Sequence, residues 1–300
     1  MSESQSYAKL GPELAQRVET VLNTWLPKTE LSPSNLHQAM RYSSLNAGKR
    51  IRPLLVYATG LCTGQDLTEL DGPAAAIELI HVYSLIHDDL PCMDDDELRR
   101  GKPTCHIVYG DATATLAGDA LQALAFEIIA TDPKMQSDNA VRVAMMKNIA
   151  VAAGSLGMAG GQAIDLAATD AKLSLHELEN MHALKTGRLI SACIEVACAN
   201  QPTLAAEQYT ALTQYGKNIG LAFQVRDDII DITSDTETLG KSAGSDQNLN
   251  KATFPSTIGL EASIEKAQEL QQSAMRALEI FGSEASLLRG IAEFIVSRQH

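Results

Sequence analysis

Aromatic side chains and positive charges are scarce in this sequence of 300 residues. Aromatic residues make up only 4% of the chain, so aliphatic side chains and methionine must fill any core, and the 45% of hydrophobic residues suffice for a large one. The formal net charge of −13 argues against nucleic acid or an anionic membrane surface as a general partner. An anionic ligand would therefore have to be met by a local group of cations.

Cysteine is also sparse, and no segment suggests export or membrane insertion. The five cysteines are odd in number and lack metal-ligand spacing, which predicts free thiols in a reducing compartment, the cytoplasm. Residues 1–10 are polar and lack the apolar core of a signal peptide. The longest uncharged run, residues 148–164, falls short of a membrane span. We therefore expect no stable membrane insertion.

Helical periodicity dominates the chain, and alternating strand patterns are scarce. A capping box begins at Ser174 and predicts a helix over residues 175–199, and a turn before Pro73 predicts a nearly all-buried helix over residues 74–90. No linker rich in proline, glycine or serine divides the sequence. These features predict an all-α bundle of roughly ten or more helices in a single domain, residues 1–300.

Residues 87–102 concentrate more charge than any other stretch. Six carboxylates lie within the ten positions 88–97, and Arg99, Arg100 and Lys102 follow. Clustered carboxylates repel one another, so such a group is stable only when it is solvated or when a multivalent cation lies among its oxygens. This segment alone leaves two interpretations open, a metal site and an acidic surface loop.

A second acidic cluster, formed by Asp227, Asp228 and Asp231, is flanked by apolar residues and favours the metal interpretation. In a helix, Asp227 and Asp231 would lie one turn apart on the same face. Magnesium takes one or two protein carboxylates and completes its shell with water and substrate phosphates. Two carboxylate walls therefore suit an oligophosphate, which nearby cations could also contact. The candidate cations are Lys49, Arg50, Arg52, Arg99, Arg100, Lys185, Lys241 and Lys251.

The ordered set of motifs resembles that of the short-chain trans-isoprenyl diphosphate synthases. The match spans about residues 45–255, with one mild departure, Ala47-Gly48-Lys49 in place of the family's usual Gly-Gly-Lys. The matching motifs are Gly48-Lys-Arg-Ile-Arg-Pro53, Asp88-Asp-x4-Asp94, Arg99-Arg-Gly-Lys-Pro103, Gly118-Asp-Ala-Leu121, Gly161-Gln-x2-Asp165, Lys185-Thr-Gly187, Gly220-x2-Phe-Gln-x2-Asp-Asp-x2-Asp231, and Gly240-Lys241 running to Lys251-x-Thr-x-Pro255.

The resemblance implies a homodimeric enzyme. Its fold would be a helical bundle with a deep central cavity, and the two aspartate clusters would face each other at the mouth of that cavity. Three Mg²⁺ ions would bind there together with the allylic diphosphate. The implied metal residues are Asp88, Asp94, Asp227 and Asp231, with Asp89 and Asp228 supporting them. Helical spacing would instead place Asp95 below Asp88, but Pro91 interrupts the helix, so we follow the motif and leave Asp95 as the alternative.

The resemblance also implies two diphosphate sites. Isopentenyl diphosphate would be bound by Gly48, Lys49, Arg52, His81 and Arg100. The allylic diphosphate would be bound by Arg99, Lys185, Thr186, Gln224, Lys241 and Lys251. Lys185, Thr186 and Gln224 would also be catalytic. The Lys185 backbone carbonyl, the Thr186 hydroxyl and the Gln224 side-chain oxygen can stabilise an allylic carbocation. The alternatives are an ordinary core histidine for His81 and an ordinary basic helix end for residues 49–52.

Product length is expected to depend on Tyr83 and Ser84, which precede Asp88 by five and four positions. One aromatic residue there, with the two-residue insertion in the first cluster, is typical of family members that make the C15 product farnesyl diphosphate. The alternatives are a C20 synthase, a terpene cyclase and a non-catalytic partner subunit. The intact second cluster speaks against the cyclase, and the intact Lys185-Thr186 speaks against the non-catalytic subunit.

Overall fold

The computed structural model describes residues 3–45, 48–168, 173–233 and 252–298, and most of them are helical. The prediction of an all-α fold is confirmed. The helices are α1 (Glu3–Trp25), α2 (Ser34–Ser44), α3 (Ile51–Cys62), α4 (Leu67–Asp88), α5 (Cys105–Tyr109), α6 (Asp111–Thr131), α7 (Asn139–Ala153), α8 (Met158–Ala167), α9 (Leu175–His182), α10 (Arg188–Ala199), α11 (Ala206–Thr233), α12 (Phe254–Ile258), α13 (Leu260–Ala277) and α14 (Ser286–Ser297), with a π-helical turn at Ala183–Gly187 and a 3-10 helix at Glu279–Ala285.

Helix α4 lies at the centre of the bundle and packs against α3, α6 and α10. It is buried on almost every side, as its nearly continuous apolar sequence predicts. Three consecutive alanines, residues 74–76, are fully buried and allow neighbouring helices to approach closely. The acidic segment at the C-terminal end of α4 is therefore held by a helix that is packed deep in the bundle.

Helix α4 begins earlier than the sequence predicts. It starts at Leu67, after Asp66 accepts a hydrogen bond from the Thr68 amide at 2.7 Å, and continues through Pro73. The predicted turn residue Asp71 is instead a buried helical carboxylate, bound by Arg17 at 2.6 Å and by the Tyr57 hydroxyl at 2.8 Å. Packing and an N-cap outweigh the single backbone hydrogen bond that Pro73 removes so near the helix start.

Helix α4 ends at Asp88, just before Pro91, as predicted. The chain then forms a short antiparallel hairpin, β1 (Leu98–Arg99) with β2 (Lys102–Pro103). The two residues of its turn, Arg100 and Gly101, have positive φ angles of 54° and 73°. Such a φ angle is common for glycine but uncommon for a residue with a long side chain, so this tight turn fixes the direction in which the Arg100 side chain leaves the backbone.

The predicted helix over residues 175–199 is interrupted. The capping box of Ser174 and Glu177 is present, but α9 ends at His182 and a π-helical turn separates it from α10. Helix α8 crosses this turn so closely that a Cβ at Gly161 would collide with the Lys185 backbone. Single π-helical turns often occur at functional sites, and this one carries Lys185 and Thr186.

Two stretches of the described chain are long and apolar enough to cross a membrane by length and composition, Asp111–Thr131 and Asn139–Ala167. The second includes residues 148–164, the uncharged run that falls short of a span by itself. In each stretch, 44% of the most apolar part is buried inside the protein. Core helices of soluble proteins meet the same criterion of length and composition, so these two stretches are weak evidence for a membrane span. The absence of membrane insertion therefore stays a prediction.

Candidate active site

A cavity of about 540 Å³ lies between α3, α4, the hairpin, α8, the π-helical turn and α11. Helix α8 gives it a mostly apolar wall, through Met158, Ala163 and Leu166, while α3, α4 and the hairpin contribute most of the charged groups. The structure brings together, in its lining, ten residues that the sequence predicts for the site: Arg52, His81, Tyr83, Ser84, Asp88, Arg99, Arg100, Lys185, Thr186 and Asp227.

In the first cluster, Asp88 lines the cavity, and Asp94 lies near it without lining the cavity itself. Burial raises the pKa of Asp88 to about 6, and the neighbouring Asp94 also acts in this direction, whereas Lys185 opposes it. The Asp94 amide donates to the Asp88 carbonyl at 2.9 Å and closes the loop around Pro91. Asp95 is exposed and has a positive φ of 53°. The geometry favours Asp94 over Asp95 as the partner of Asp88.

Asp89, which the resemblance implies as a supporting metal residue, contacts Arg99 in the structure, and its role at the metal site stays a prediction. Its side chain is buried and does not line the cavity. One carboxylate oxygen accepts a hydrogen bond from the Arg99 Nε at 2.7 Å, and Asp96 contacts the same guanidinium at 3.4 Å. Because two carboxylates hold it from one side, Arg99 presents its guanidinium to the cavity in a fixed position.

In the second cluster, Asp227 is the residue that lines the cavity, and 41% of its side chain is exposed. Asp231 lies one helical turn after Asp227, as predicted, but its side chain is buried whereas that of Asp227 is partly exposed. Asp228 is buried as well, and its two oxygens accept hydrogen bonds from the Gln224 Nε2 at 2.8 Å and from the Phe254 amide at 2.9 Å. Asp228 therefore lies outside the cavity lining, and its supporting role at the metal site stays a prediction.

Within the described ranges, no three acidic, histidine or cysteine side chains are close enough to hold an ion by themselves. Asp88 and Asp227 lie instead on different helices and border one cavity. This arrangement fits Mg²⁺, which takes few protein carboxylates and fills its remaining positions with water and phosphate oxygens. Burial raises the pKa of Asp88, and a divalent cation bound beside it would favour the ionised carboxylate.

The basic residues around the start of α3 differ in their surroundings. Arg50 is corrected from a ligand-facing cation to a buried structural residue, because its guanidinium contacts Glu78 of α4 at 2.5 Å and Glu19 of α1. Arg52 lines the cavity, and its Nε has no hydrogen-bond partner among the described residues. Burial lowers the pKa of Arg52. An anion in the cavity would accept hydrogen bonds from this guanidinium.

His81 lies in the same corner. Burial lowers the pKa of His81 well below its ordinary value, and the nearby Arg52 and Arg100 act in the same direction. The imidazole is therefore neutral at physiological pH and can donate one ring N–H to an anion.

The three predicted catalytic side chains form two short contacts. The Thr186 hydroxyl donates to the Gln224 Oε1 at 2.8 Å, and the Lys185 Nζ donates to Asp165 at 2.6 Å. Lys185 and Thr186 line the cavity, whereas Gln224 lies behind Thr186 and does not line it. The structure thus places Gln224 one hydrogen bond away from the space that a substrate would occupy.

Tyr83 and Ser84 both line the lower part of the cavity, on the turn of α4 before Asp88. Tyr83 is buried, and its ring meets His87 edge to face at 5.7 Å between centroids. His87, for which the sequence predicts no role, also lines the cavity and is held by the Thr115 carbonyl at 3.0 Å. A Cβ at Gly118 would collide with the His87 ring, which explains the glycine in that motif.

Three further residues at the site have no predicted role. Arg298 contacts Asp227 at 2.7 Å, and its guanidinium lies 4.1 Å from the Phe223 ring centre, while Arg52 lies 5.8 Å from it. Gln162 lines the cavity, and neither of its enclosed amide atoms has a hydrogen-bond partner in the part of the chain that the structure describes. The motifs around Phe223 and Gln162 are signals that could have indicated them. Arg298 has no such signal.

Two predicted residues, Lys241 and Lys251, lie outside the described residues, as does Gly240. Their predicted contacts with the allylic diphosphate therefore stay predictions.

An all-α bundle whose cavity is bordered by two carboxylate walls and several arginines has the architecture of a metal-assisted enzyme of diphosphate substrates. The chain belongs to the polyprenyl synthetase family, whose profile matches residues 33–281. The predicted family is confirmed. Prenyl diphosphate synthases of this family use isoprenoid diphosphates and are generally magnesium-dependent.

Individual relatives narrow the comparison. The chain is 46% identical to a farnesyl diphosphate synthase from Haemophilus influenzae, over 96% of this chain and 98% of the relative. It is 42% identical to a geranylgeranyl diphosphate synthase from Cyanophora paradoxa, over 96% and 95% of the two chains. A geranyltransferase from Helicobacter pylori, whose crystal structure contains magnesium and isoprenyl diphosphate, superimposes with a TM-score of 0.83 at 34% identity, covering 95% of each chain.

Proposed function

We propose that this chain condenses isopentenyl diphosphate with dimethylallyl diphosphate and then with geranyl diphosphate, and releases farnesyl diphosphate. The observation that carries the proposal is the cavity itself. Asp88 and Asp227 border it from two helices, and Arg52, Arg99 and Lys185 surround the same space. The high identity to a farnesyl diphosphate synthase supports the same activity.

The residues suggest how each diphosphate is held. Arg99 and Lys185, on one side of the cavity, would bind the allylic diphosphate, and Arg52, His81 and Arg100 would bind that of isopentenyl diphosphate. Asp88, Asp94 and Asp227 would hold Mg²⁺, proposed as three ions, whose charge would make the allylic diphosphate a better leaving group. No protein nucleophile is required for this chemistry.

The reaction begins, in this proposal, when the allylic C–O bond breaks and its electrons leave with the diphosphate. The double bond of isopentenyl diphosphate then attacks the resulting cation, and one proton is lost, which the departing diphosphate accepts. Thr186 and the Lys185 carbonyl would stabilise the cation through their oxygens, inside a cavity with an apolar α8 wall.

The direct test is an assay of geranyl diphosphate with isopentenyl diphosphate. We expect magnesium-dependent release of diphosphate, and a C15 alcohol after dephosphorylation of the product, identified by mass. Binding of both substrates without diphosphate release would indicate a non-catalytic subunit. A C20 alcohol as the main product would indicate a longer-chain synthase.

Gly48 offers a selective test of the isopentenyl diphosphate site. A Cβ at this position would lie 2.5 Å from the Arg100 Nη1 and 2.7 Å from its Cζ, so Gly48→Ala must displace the Arg100 guanidinium. We expect the KM for isopentenyl diphosphate to rise about tenfold or more, because one charge-assisted hydrogen bond to its diphosphate would be lost. The KM for geranyl diphosphate, measured in the same variant, should stay unchanged. An equal rise in both values would contradict the assignment of Arg100.

The predicted homodimer and cytoplasmic location complete the proposal. Helices α5, α6 and α7 expose several large apolar side chains, which a second copy of the chain would cover. These residues are Ile107, Val108, Leu116, Val143 and Val151. The five cysteines are free thiols, four of them buried, in agreement with a reducing compartment.

Analytical ultracentrifugation tests the dimer. We expect a mass close to twice 32.2 kDa for the unaltered chain, and a shift toward the monomer for Leu116→Asp, which places a charge among exposed apolar side chains. Lys9→Asp, also at an exposed position but on α1, is the control and should leave the mass unchanged. A monomeric unaltered chain would contradict the proposal.

A further inference from the structure

The two acidic clusters share a feature that metal binding does not explain. In each of them the second aspartate is buried and lies outside the cavity lining, although the preceding aspartate lines it. Asp89 holds Arg99, as described above. Asp228 accepts hydrogen bonds from the amide groups of Gln224 and Phe254, and only 1% of its surface is exposed. Burying a carboxylate is unfavourable, so the position of Asp228 in the protein interior calls for an explanation.

The contacts of Asp228 form a directed chain of hydrogen bonds that ends at the cavity. A carboxylate can only accept hydrogen bonds, so the Gln224 amide must direct its NH₂ group toward Asp228, at 2.8 Å. The Gln224 carbonyl is then directed toward Thr186 and must accept the hydroxyl proton of that residue, at 2.8 Å. With its proton engaged, the Thr186 oxygen can offer only lone pairs to the cavity that it lines.

The other oxygen of Asp228 keeps the carboxylate from rotating. It accepts from the Phe254 amide at 2.9 Å, and the His182 Nε2 lies 3.7 Å away. Phe254 is the first residue of α12 and is fully buried, and its ring stacks on His182 at 5.6 Å between centroids. Packed groups on separate elements therefore hold both carboxylate oxygens in place. Because a carboxylate only accepts hydrogen bonds, the donors and acceptors along this chain of hydrogen bonds cannot exchange roles.

We propose that Asp228 is a positioning residue which, through Gln224, orients the Thr186 hydroxyl so that its oxygen lone pairs face the reacting carbon. This inference rests on the proposed prenyl transfer, in which positive charge develops on the allylic carbon. An oriented oxygen dipole stabilises that charge without having to reorganise during the reaction. Asp228 thus acts on catalysis without contacting metal or substrate.

The test is a kinetic comparison of Asp228→Asn with Asp227→Asn, using geranyl and isopentenyl diphosphates. Asparagine has nearly the same shape but provides only one acceptor, so it cannot satisfy both Gln224 and Phe254. We expect kcat of Asp228→Asn to fall on the order of 100-fold, with the Mg²⁺ concentration for half-maximal rate and both KM values unchanged. Asp227→Asn should instead raise the Mg²⁺ requirement. If Asp228→Asn raises it equally, Asp228 is a metal ligand and the proposal is overturned.

A double-mutant cycle separates positioning from a general structural role. Once Gln224→Leu has removed the relay, Asp228→Asn should reduce kcat by little more than twofold. Independent, multiplicative losses would overturn the proposal. Asp89→Asn is the matched control, since it is also a buried second aspartate, and it should mainly raise the KM for geranyl diphosphate through Arg99.

Circular dichroism and thermal unfolding establish that each variant is folded. If Asp228→Asn does not fold, Asp228→Ala, which removes the carboxylate without introducing a donor, should show the same loss in kcat at an unchanged Mg²⁺ requirement. The activity of the unaltered chain in this assay tests the proposed function separately. If it prefers another allylic diphosphate, the same ratios are measured with that substrate.

Discussion

Asp227→Asn is expected to lower kcat on the order of 10³-fold while the protein keeps its fold. The Asp227 carboxylate lines the cavity, and 41% of the side chain is exposed, so the substitution removes charge from the proposed metal site without disturbing the core. A metal and its ligands contribute several kcal/mol to stabilising charge on a departing oxygen, which corresponds to a rate effect of about this size.

The measurement is the initial rate of diphosphate release as a function of Mg²⁺ concentration. Asp227→Asn should need more Mg²⁺ for half-maximal rate and should not recover the full rate at saturation. Asp111→Asn, at the exposed start of α6, removes the same charge away from the cavity and serves as the control. Unchanged turnover and Mg²⁺ dependence in Asp227→Asn would refute its assignment as a metal ligand.

Tyr83→Ala is expected to change the main product from C15 to C20 or longer. Tyr83 lines the cavity on α4, five residues before Asp88, which corresponds to about 7.5 Å along the helix. A hydrocarbon chain that extends from a diphosphate near Asp88 along α4 would meet this ring. Alanine would remove that obstacle and extend the cavity along the same helix.

Mass analysis of the dephosphorylated products of Tyr83→Ala gives the answer, with Tyr83→Phe as the control. Tyr83→Phe keeps the ring and should still give C15. Because Tyr83 is buried, we expect the alanine variant to lose about 3 kcal/mol of stability, so the assays are run well below its melting temperature. A C15 product from a folded alanine variant would exclude Tyr83 as the floor of the cavity.

The residues of the site that a sequence reveals most reliably are charged residues that line the cavity. Asp88 and Asp227 end or interrupt long apolar helices, and charge at such positions is rare in a well-packed protein unless it has a partner or a ligand. Lys185 and Arg99 follow from their place in ordered motifs. All four line one cavity, so residue type and order were sufficient to bring them together before the structure was known.

The roles of adjacent aspartates could not be predicted in the same way. Asp227 and Asp228 have the same chemistry, and a helix rotates by about 100° from one residue to the next. Which of the two side chains enters the cavity depends on how α11 is rotated against α13 and α10, its packing neighbours. Asp88 and Asp89 differ for the same reason. Local sequence contains no information on that rotation.

Partners far apart in the chain are equally hidden. Arg298 and Asp227 are separated by 71 positions, and Arg50 and Glu19 by 31. Helix propensity and hydrophobic periodicity report on neighbours three or four residues apart, so neither pairing leaves a trace in them. The interruption between α9 and α10 likewise depends on the close crossing of α8, which only the folded bundle creates.

The ion pairs of Arg50 bear on the design of shortened forms of the protein. The segment that matches the family profile starts at residue 33, after α1, yet Glu19 of α1 contacts the buried Arg50 guanidinium beside Glu78. A truncated chain that starts at residue 33 would lose this carboxylate and uncover apolar surface of α3 and α4. Arg50 stands between Lys49 and Arg52, so trimming the protein to the family boundaries would weaken the support of the segment that we propose to bind substrate.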